Sequence, residues 1–362
     1  MKKKIVLITI TLIISIFALS GCFEIFSNSN GKTIYKSHPT KISYEISYGY
    51  KINCTGAGKY SIKYNCDVPE LINGEILSTI IQDNNYEDIV LATNNYVKQW
   101  NITGYDGNNY NLGISAIVEA ESYVVSDLSG SDAKSIDDIK NQYPHFINQY
   151  CKAQSNDSTI FINPNDPEIA SIAKSIKSSS GTNNSFIVAK ELFIWLKQHT
   201  TYKTHVNNII QPAELTFQSR TGDCDDLSFL YISLCRAVSI PARFIRGFLI
   251  EEDSAISHAW VEIFVGENIG NNGWIPVECA GVSGEIKKEI NQNFGVETSE
   301  HLRLFTDDGS NESINVSLTG LYLVKYNPNI NLFPESYAEI NNYVELKSNE
   351  LVIDENNNRF YQ

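Results

Sequence analysis

The chain has 362 residues, a formal charge of −14 at pH 7, 42% hydrophobic residues and 11% aromatics. So acidic a balance argues against nucleic acid and against anionic lipid surfaces as partners. The length leaves room for two folded domains beyond a leader.

The leader comes first. Lys2, Lys3 and Lys4 precede an apolar run over residues 5–19, which closes in Leu19-Ser20-Gly21-Cys22. This resembles the signal peptide and lipobox of secreted lipoproteins, with residues 1–21 removed and Cys22 carrying the lipid. The other reading is an uncleaved anchor, but as a helix the run spans about 23 Å against a hydrocarbon core of about 30 Å. Both readings hold the remainder at the membrane, facing outside the cytoplasm. Residues 22–38, with Ser27-Asn28-Ser29-Asn30-Gly31, read as a flexible tether.

From 39 to 130 the period is two. Ile42, Tyr44, Ile46, Tyr48, Tyr50 and Ile52 alternate with mostly polar neighbours, and the pattern resumes at Tyr60, Ile62 and Tyr64 after a Thr55-Gly56-Ala57-Gly58 turn. Short alternating strands with polar turns predict an antiparallel β-sandwich, with the Tyr and Ile stripe as its core face rather than a ligand groove.

After 130 the period becomes helical. Asp166-Pro167 supplies an N-cap and a proline at the first helical position, ahead of Ile169, Ile172, Ala173 and Ile176. A second helix is expected over 186–198, with Phe186, Ala189, Phe193 and Leu196 on one face. A third begins at Cys224 and ends near Val238, with Leu227, Leu230, Tyr231 and Leu234 as its apolar stripe and Pro241 beyond its end. Strands are expected over 243–250, 259–265 and 274–278. Residues 131–284 therefore read as an α+β unit. Residues 285–362 are polar with strand-like pieces, such as 321–326, and their pattern suggests no role.

Cys224 stands out chemically. In Thr221-Gly222-Asp223-Cys224-Asp225-Asp226-Leu227 a cysteine sits directly behind a glycine turn and opens a helix, where the helix dipole favours a thiolate. His258 follows on a predicted strand, then Glu278 at the end of another. Cys, His and acid in that order suit thiol-dependent acyl transfer. Against this, Asp223, Asp225 and Asp226 crowd the thiol, and like charge raises its pKa. Activation then falls to His258 and the helix end.

Four motifs carry a family resemblance: Gly222-Asp223-Cys224-Asp225-Asp226, Cys235-Arg236-Ala237-Val238-Ser239-Ile240-Pro241-Ala242-Arg243, His258-Ala259-Trp260-Val261-Glu262 and Trp274-Ile275-Pro276-Val277. Together they resemble the transglutaminase-like superfamily, in its exported microbial form, over roughly residues 165–280. The resemblance implies a papain-like core with an accessory β-sandwich ahead of it. It implies Cys224 as nucleophile forming a thioester, His258 as base, and Glu278 at the position where the family usually has Asp. Should Glu278 not serve, Glu262 or an Asn stands in reserve. For the oxyanion, the Cys224 N–H is one donor, and Gln218, Tyr202 and Trp195 are side-chain candidates, Gln218 being placed as in papain-type enzymes. Asp226 reads as an anchor for the helix start, and Arg243 as the partner of a carboxylate.

The expected activity is a peptidase or isopeptidase working on a protein, peptide or cell-envelope substrate. Transamidation, and a non-catalytic surface-binding role on the same fold, are the alternatives. No Cys/His cluster has metal-ligand spacing, so no metal or other cofactor is expected. Asp307-Asp308-Gly309-Ser310-Asn311-Glu312 has a calcium-loop composition without the EF-hand register, and calcium is the one ion the family resemblance leaves open. Of the remaining cysteines, Cys54 and Cys66 could pair in an exported protein, and Cys235 reads as a buried small hydrophobe.

Overall fold

The computed structural model describes residues 32–204, 210–281, 284–318 and 320–362. The signal segment, Cys22 and most of the tether lie outside them. The fold is α+β, a papain-like helix-and-sheet unit joined to an antiparallel β-sandwich.

The sandwich has two four-stranded sheets. One runs in the order Ile330–Asn349, His38–Gly56, Asn108–Glu121, Gly74–Gln82; the other runs Leu321–Lys325, Lys59–Asp67, Tyr96–Tyr105, Tyr86–Val90. Alternation does what the sequence pattern requires. Ile42, Tyr44, Ile46, Tyr48 and Ile52 from the first sheet pack against Tyr60, Ile62, Tyr64 and Trp100 from the second in one buried cluster. Tyr50 lies only partly buried at its margin. The stripe is therefore core.

Residues 285–362 supply an outer strand to each sandwich sheet, Leu321–Lys325 and Ile330–Asn349, and one strand, His301–Thr306, to the sheet of the α+β unit. The pairing of Cys54 with Cys66 does not occur. Both are free and buried. Cys54 lies opposite Asn108 in the first sheet and Cys66 opposite Lys98 in the second, so the core separates them.

The second unit is built on an antiparallel sheet in the order Trp274–Val277, Ala255–Phe264, Ala242–Ile250, His301–Thr306. Helix Cys224–Ala237 packs on it, and helices Pro167–Ser179 and Ser185–His199 pack against that helix. Asp166 caps the first through the Glu168 and Ile169 N–H groups, with Pro167 opening the helix as its sequence suggests. Phe248, Ile250, Leu302 and Leu304 of the same sheet reach into the sandwich cluster, so the sheet bridges the two cores.

Helix Cys224–Ala237 is buried all round from Asp226 to Arg236, not along one stripe. Its serines hide this in the sequence. Ser228 and Ser233 donate to the Cys224 and Phe229 carbonyls, at 2.6 and 2.7 Å, and so need no water. Arg236 is satisfied by the Ala242 and Lys152 carbonyls and by Asp307 at 3.2 Å. A helix enclosed on every side is a rigid mount for what it carries at its first residue.

Candidate active site

Cys224 is the first residue of that helix, with Asp223 at the N-cap. The turn into it is clamped by Asp226, which is fully buried. Its Oδ2 accepts from the Asp223 N–H at 3.2 Å and from Gln211 Nε2 at 3.0 Å, and its Oδ1 accepts from the Gln211 N–H at 2.6 Å. Asp226 is thus an anchor. It also explains Gly222, where a Cβ would lie 2.6 Å from the Asp226 Cβ.

Cys224 is half-buried, and its thiol donates to Asp225 Oδ1 at 3.4 Å. Its pKa is pushed well above the ordinary thiol value by burial and by the charges of Asp225, Asp223 and Glu278. Burial and carboxylate charge thus both favour the thiol over the thiolate, against the pull of the helix dipole. Asp223 feels the same crowding. Burial and the charges of Asp225 and Asp226 push its carboxyl well above the usual carboxylate range.

His258 lies on strand Ala255–Phe264. His258 Nε2 donates to Glu278 Oε2 at 2.6 Å, and His301 Nε2 donates to the same oxygen at 3.2 Å. Glu278 Oε1 accepts from the Ala280 N–H at 2.6 Å, and the Glu278 N–H is tied to the Asn293 carbonyl at 2.9 Å. The following loop is fixed by Lys197, which donates to the Cys279 and Gly281 carbonyls and pairs with Glu289 at 3.0 Å. Burial alone would raise the Glu278 carboxyl, but the His258 and His301 side chains hold it far below the usual carboxylate range. Burial pulls His258 down, and Glu278 more than offsets this, so its net shift is upward.

Glu278 meets the longer reach that Glu has over Asp by folding its carboxylate back onto its own loop and onto two imidazoles. His301 escaped sequence reading because Ser299-Glu300-His301-Leu302 belongs to no motif. One available signal was Gly247, which the register places between His258 and Arg303 on the middle strand. A Cβ there would meet the Leu302 carbonyl at 1.9 Å. A glycine amid Arg246, Phe248 and Leu249 marks close approach of the strand that carries His301. Thr298 Oγ1, 2.9 Å from Nδ1, fixes the His301 ring, and Trp260 lies edge-on to it at 4.9 Å between centroids.

The two clusters are coupled through their charges. Asp225, which bonds the thiol, is close enough for its charge to raise the His258 pKa, and Glu278, which bonds His258, raises that of Cys224. Because His258 Nε2 is committed to Glu278, Nδ1 is the nitrogen left to accept a proton; it has no hydrogen-bond partner among the described residues.

The remaining candidates separate by position. Tyr202 pairs in register with Gly222 in a short parallel bridge, two residues before the nucleophile. Its phenol is held protonated by burial and by the charges of Cys224, Asp223 and Glu278. Gln218 is exposed on helix Ala213–Ser219. Trp195 stacks on Phe217 and His199 under the Arg220 guanidinium, a packing role. Glu262 is committed to Arg243 at 2.6 Å and Arg303 at 2.7 Å, which hold its carboxyl down at about 2 against the effect of burial. Asp307, in the calcium-like stretch, binds Arg236, Gln154 and the Gly309 N–H. Two groups of described residues have donor atoms within 4.8 Å of one another and could hold a metal ion: His258, Glu278 and His301, and Asp223, Cys224 and Asp225.

Residues 171–279 match the family model of the transglutaminase-like superfamily, so the chain contains a transglutaminase-like domain. A search of curated proteins found no significant match. A solved structure described as a candidate cysteine protease from Cytophaga hutchinsonii aligns with a TM-score of 0.52 at 16% identity, over 90% of this chain and 99% of that one. The two share a fold along nearly their whole lengths. The periplasmic domain of TgpA from Pseudomonas aeruginosa aligns with a TM-score of 0.34 at 10% identity, over 70% of this chain and 94% of that one.

Proposed function

We propose that the chain is an exported, lipid-anchored cysteine enzyme that opens peptide or isopeptide amide bonds through a thioester on Cys224. The observation that carries this reading is the 2.6 Å bond from His258 Nε2 to Glu278, which leaves Nδ1 free to accept a proton, in a chain whose Cys224 opens a helix.

The steps follow from the chemistry of those atoms. His258 Nδ1 takes the Cys224 proton as the sulfur adds to the substrate carbonyl carbon. The resulting oxyanion meets the Cys224 N–H, which the helix leaves without an intrahelical partner, and the Tyr202 O–H. Tyr202 replaces Gln218 in this role because it lies beside Gly222 while Gln218 faces solvent. Nδ1–H then protonates the departing amine, and the C–N bond breaks to leave the thioester. Water, deprotonated by His258, releases the acid and restores the thiol. An amine in place of water would give transamidation from the same intermediate.

Location rests on the lipobox-like Leu19-Ser20-Gly21-Cys22. Among the described residues no helix is long and apolar enough to cross a membrane. Cys22→Ala is expected to move the protein from the membrane fraction to the soluble one.

The activity is tested by incubating the chain with a peptide library, with and without a primary amine, followed by mass spectrometry. Cleavage is expected; amine incorporation instead would assign a transamidase. Products that persist in Cys224→Ala, or no product at all, would overturn the reading.

A further inference from the structure

We propose that His258, Glu278 and His301 form a zinc-binding site that switches the catalytic base off. Taking a thiol proton needs one imidazole and one orienting carboxylate. This site holds a second imidazole, equally buried, on the same carboxylate oxygen. The three donor atoms lie within 4.8 Å of one another.

Zinc takes nitrogen and carboxylate oxygen ligands at about 2.0–2.2 Å, which places neighbouring tetrahedral donors roughly 3.3 Å apart. The His301–Glu278 edge already measures 3.2 Å, and the His258–Glu278 edge would open from 2.6 Å. The surroundings suit a cation as well. Metal-bound histidines usually have their other nitrogen tied, and His301 Nδ1 has Thr298. Asp225, whose charge reaches His258, helps to balance an ion carrying more charge than one carboxylate cancels.

The consequence for catalysis is a matter of protons. With zinc on Nε2, the proton of a neutral His258 moves to Nδ1, the atom that must accept from Cys224. His301 shifts its proton the same way, and the Thr298 hydroxyl turns from donor to acceptor. The thiol keeps its own proton and is not a ligand. Zinc would therefore silence the base while leaving the sulfur uncoordinated.

Inhibition rests on the acyl-transfer reading, whereas zinc binding does not, and the experiment keeps them apart. Zinc and cobalt binding to the full chain are measured by calorimetry and absorption. Iodoacetamide alkylation of Cys224 is followed by peptide-resolved mass spectrometry at neutral pH, each variant against its own metal-free rate. One zinc per chain is expected, slowing alkylation about tenfold or more and reversed by chelator. Cys224→Ala should retain zinc affinity, and the cobalt complex of the parent chain should show no thiolate charge-transfer band. His301→Ala and Glu278→Gln should each weaken binding about tenfold or more.

Absence of stoichiometric binding by the parent chain would overturn the proposal. So would loss of binding in Cys224→Ala together with a thiolate band, which would make the sulfur a ligand. Zinc bound at full affinity with alkylation unchanged would remove His258 as base, and with it the proposed mechanism and the switch, while the metal site itself stood. Because Cys224→Ala is read for retained binding, a folding defect in His301→Ala cannot mask the outcome.

Discussion

The two halves of the site treat charge in opposite ways. At the helix start, Asp223, Cys224 and Asp225 bring three potential anions together, and burial with mutual repulsion keeps the thiol protonated and raises Asp223. On the strands, Glu278 sits between two imidazoles and stays ionised far below its usual range. In one cluster the thiol and Asp223 resist ionising, and the other is built around a settled charge. In the proposed mechanism reactivity is then controlled from the strand side, with Cys224 a nucleophile made on demand rather than a standing ion pair.

The largest break in that contrast comes from removing the base. His258→Ala should lower acylation by a small activated ester about 10²–10⁴-fold and flatten its pH dependence near neutrality. A variant within a few-fold of the parent would mean that the thiol ionises without help.

Glu278→Gln keeps the shape but removes the charge that raises His258. Acylation is expected to fall about tenfold or more. The acid limb of its pH profile should move to lower pH, because His258 loses its main upward influence and only Asp225 is left to oppose burial. An acid limb that stays in place would show that Glu278 is not coupled to the base. Glu278→Asp should recover only part of the loss, since a shorter side chain cannot hold Ala280 N–H and both imidazoles together.

Gly222→Ala tests the mount beneath the nucleophile. The added methyl meets Asp226 at 2.6 Å, so the clamp on Gln211 and the helix start must shift. The cost should be about 1–3 kcal/mol in denaturant unfolding, with slower alkylation of Cys224 alongside. Unchanged stability would show that the turn relaxes freely.

The two halves also differ in how they read from sequence. The helix-start cluster is local: glycine, N-cap, thiol and helix follow in order, and the alternating stripe of the sandwich is legible for the same reason. His258 and Glu278 stand out through their motifs, but the strand cluster closes through His301, from a stretch with no pattern of its own. Only sheet order brings that strand beside Gly247, and sheet order is a long-range property. The same limit hides the return of residues 321–349 to the sandwich. The encircled burial of the nucleophile helix is masked for a different reason, because Ser228 and Ser233 look polar yet satisfy themselves against the helix backbone.

The smallest expected effect discriminates between the halves because it runs the other way. After burial, Asp225 is the largest influence raising the thiol pKa, and it also accepts the thiol hydrogen bond. Asp225→Asn removes a negative charge beside the sulfur, so the thiolate forms at lower pH and its fraction at any fixed pH below the pKa increases. Iodoacetamide alkylation at neutral pH should accelerate, by roughly tenfold for each unit by which the pKa falls. Acylation by the ester should gain less, since Asp225 also helps to raise His258 and its loss weakens the base. A variant whose alkylation and acylation rise together would show the thiolate alone to be limiting. One whose alkylation does not rise would show that Asp225 does not restrain the sulfur, and the contrast between a reluctant nucleophile and a prepared base would fail at its first half.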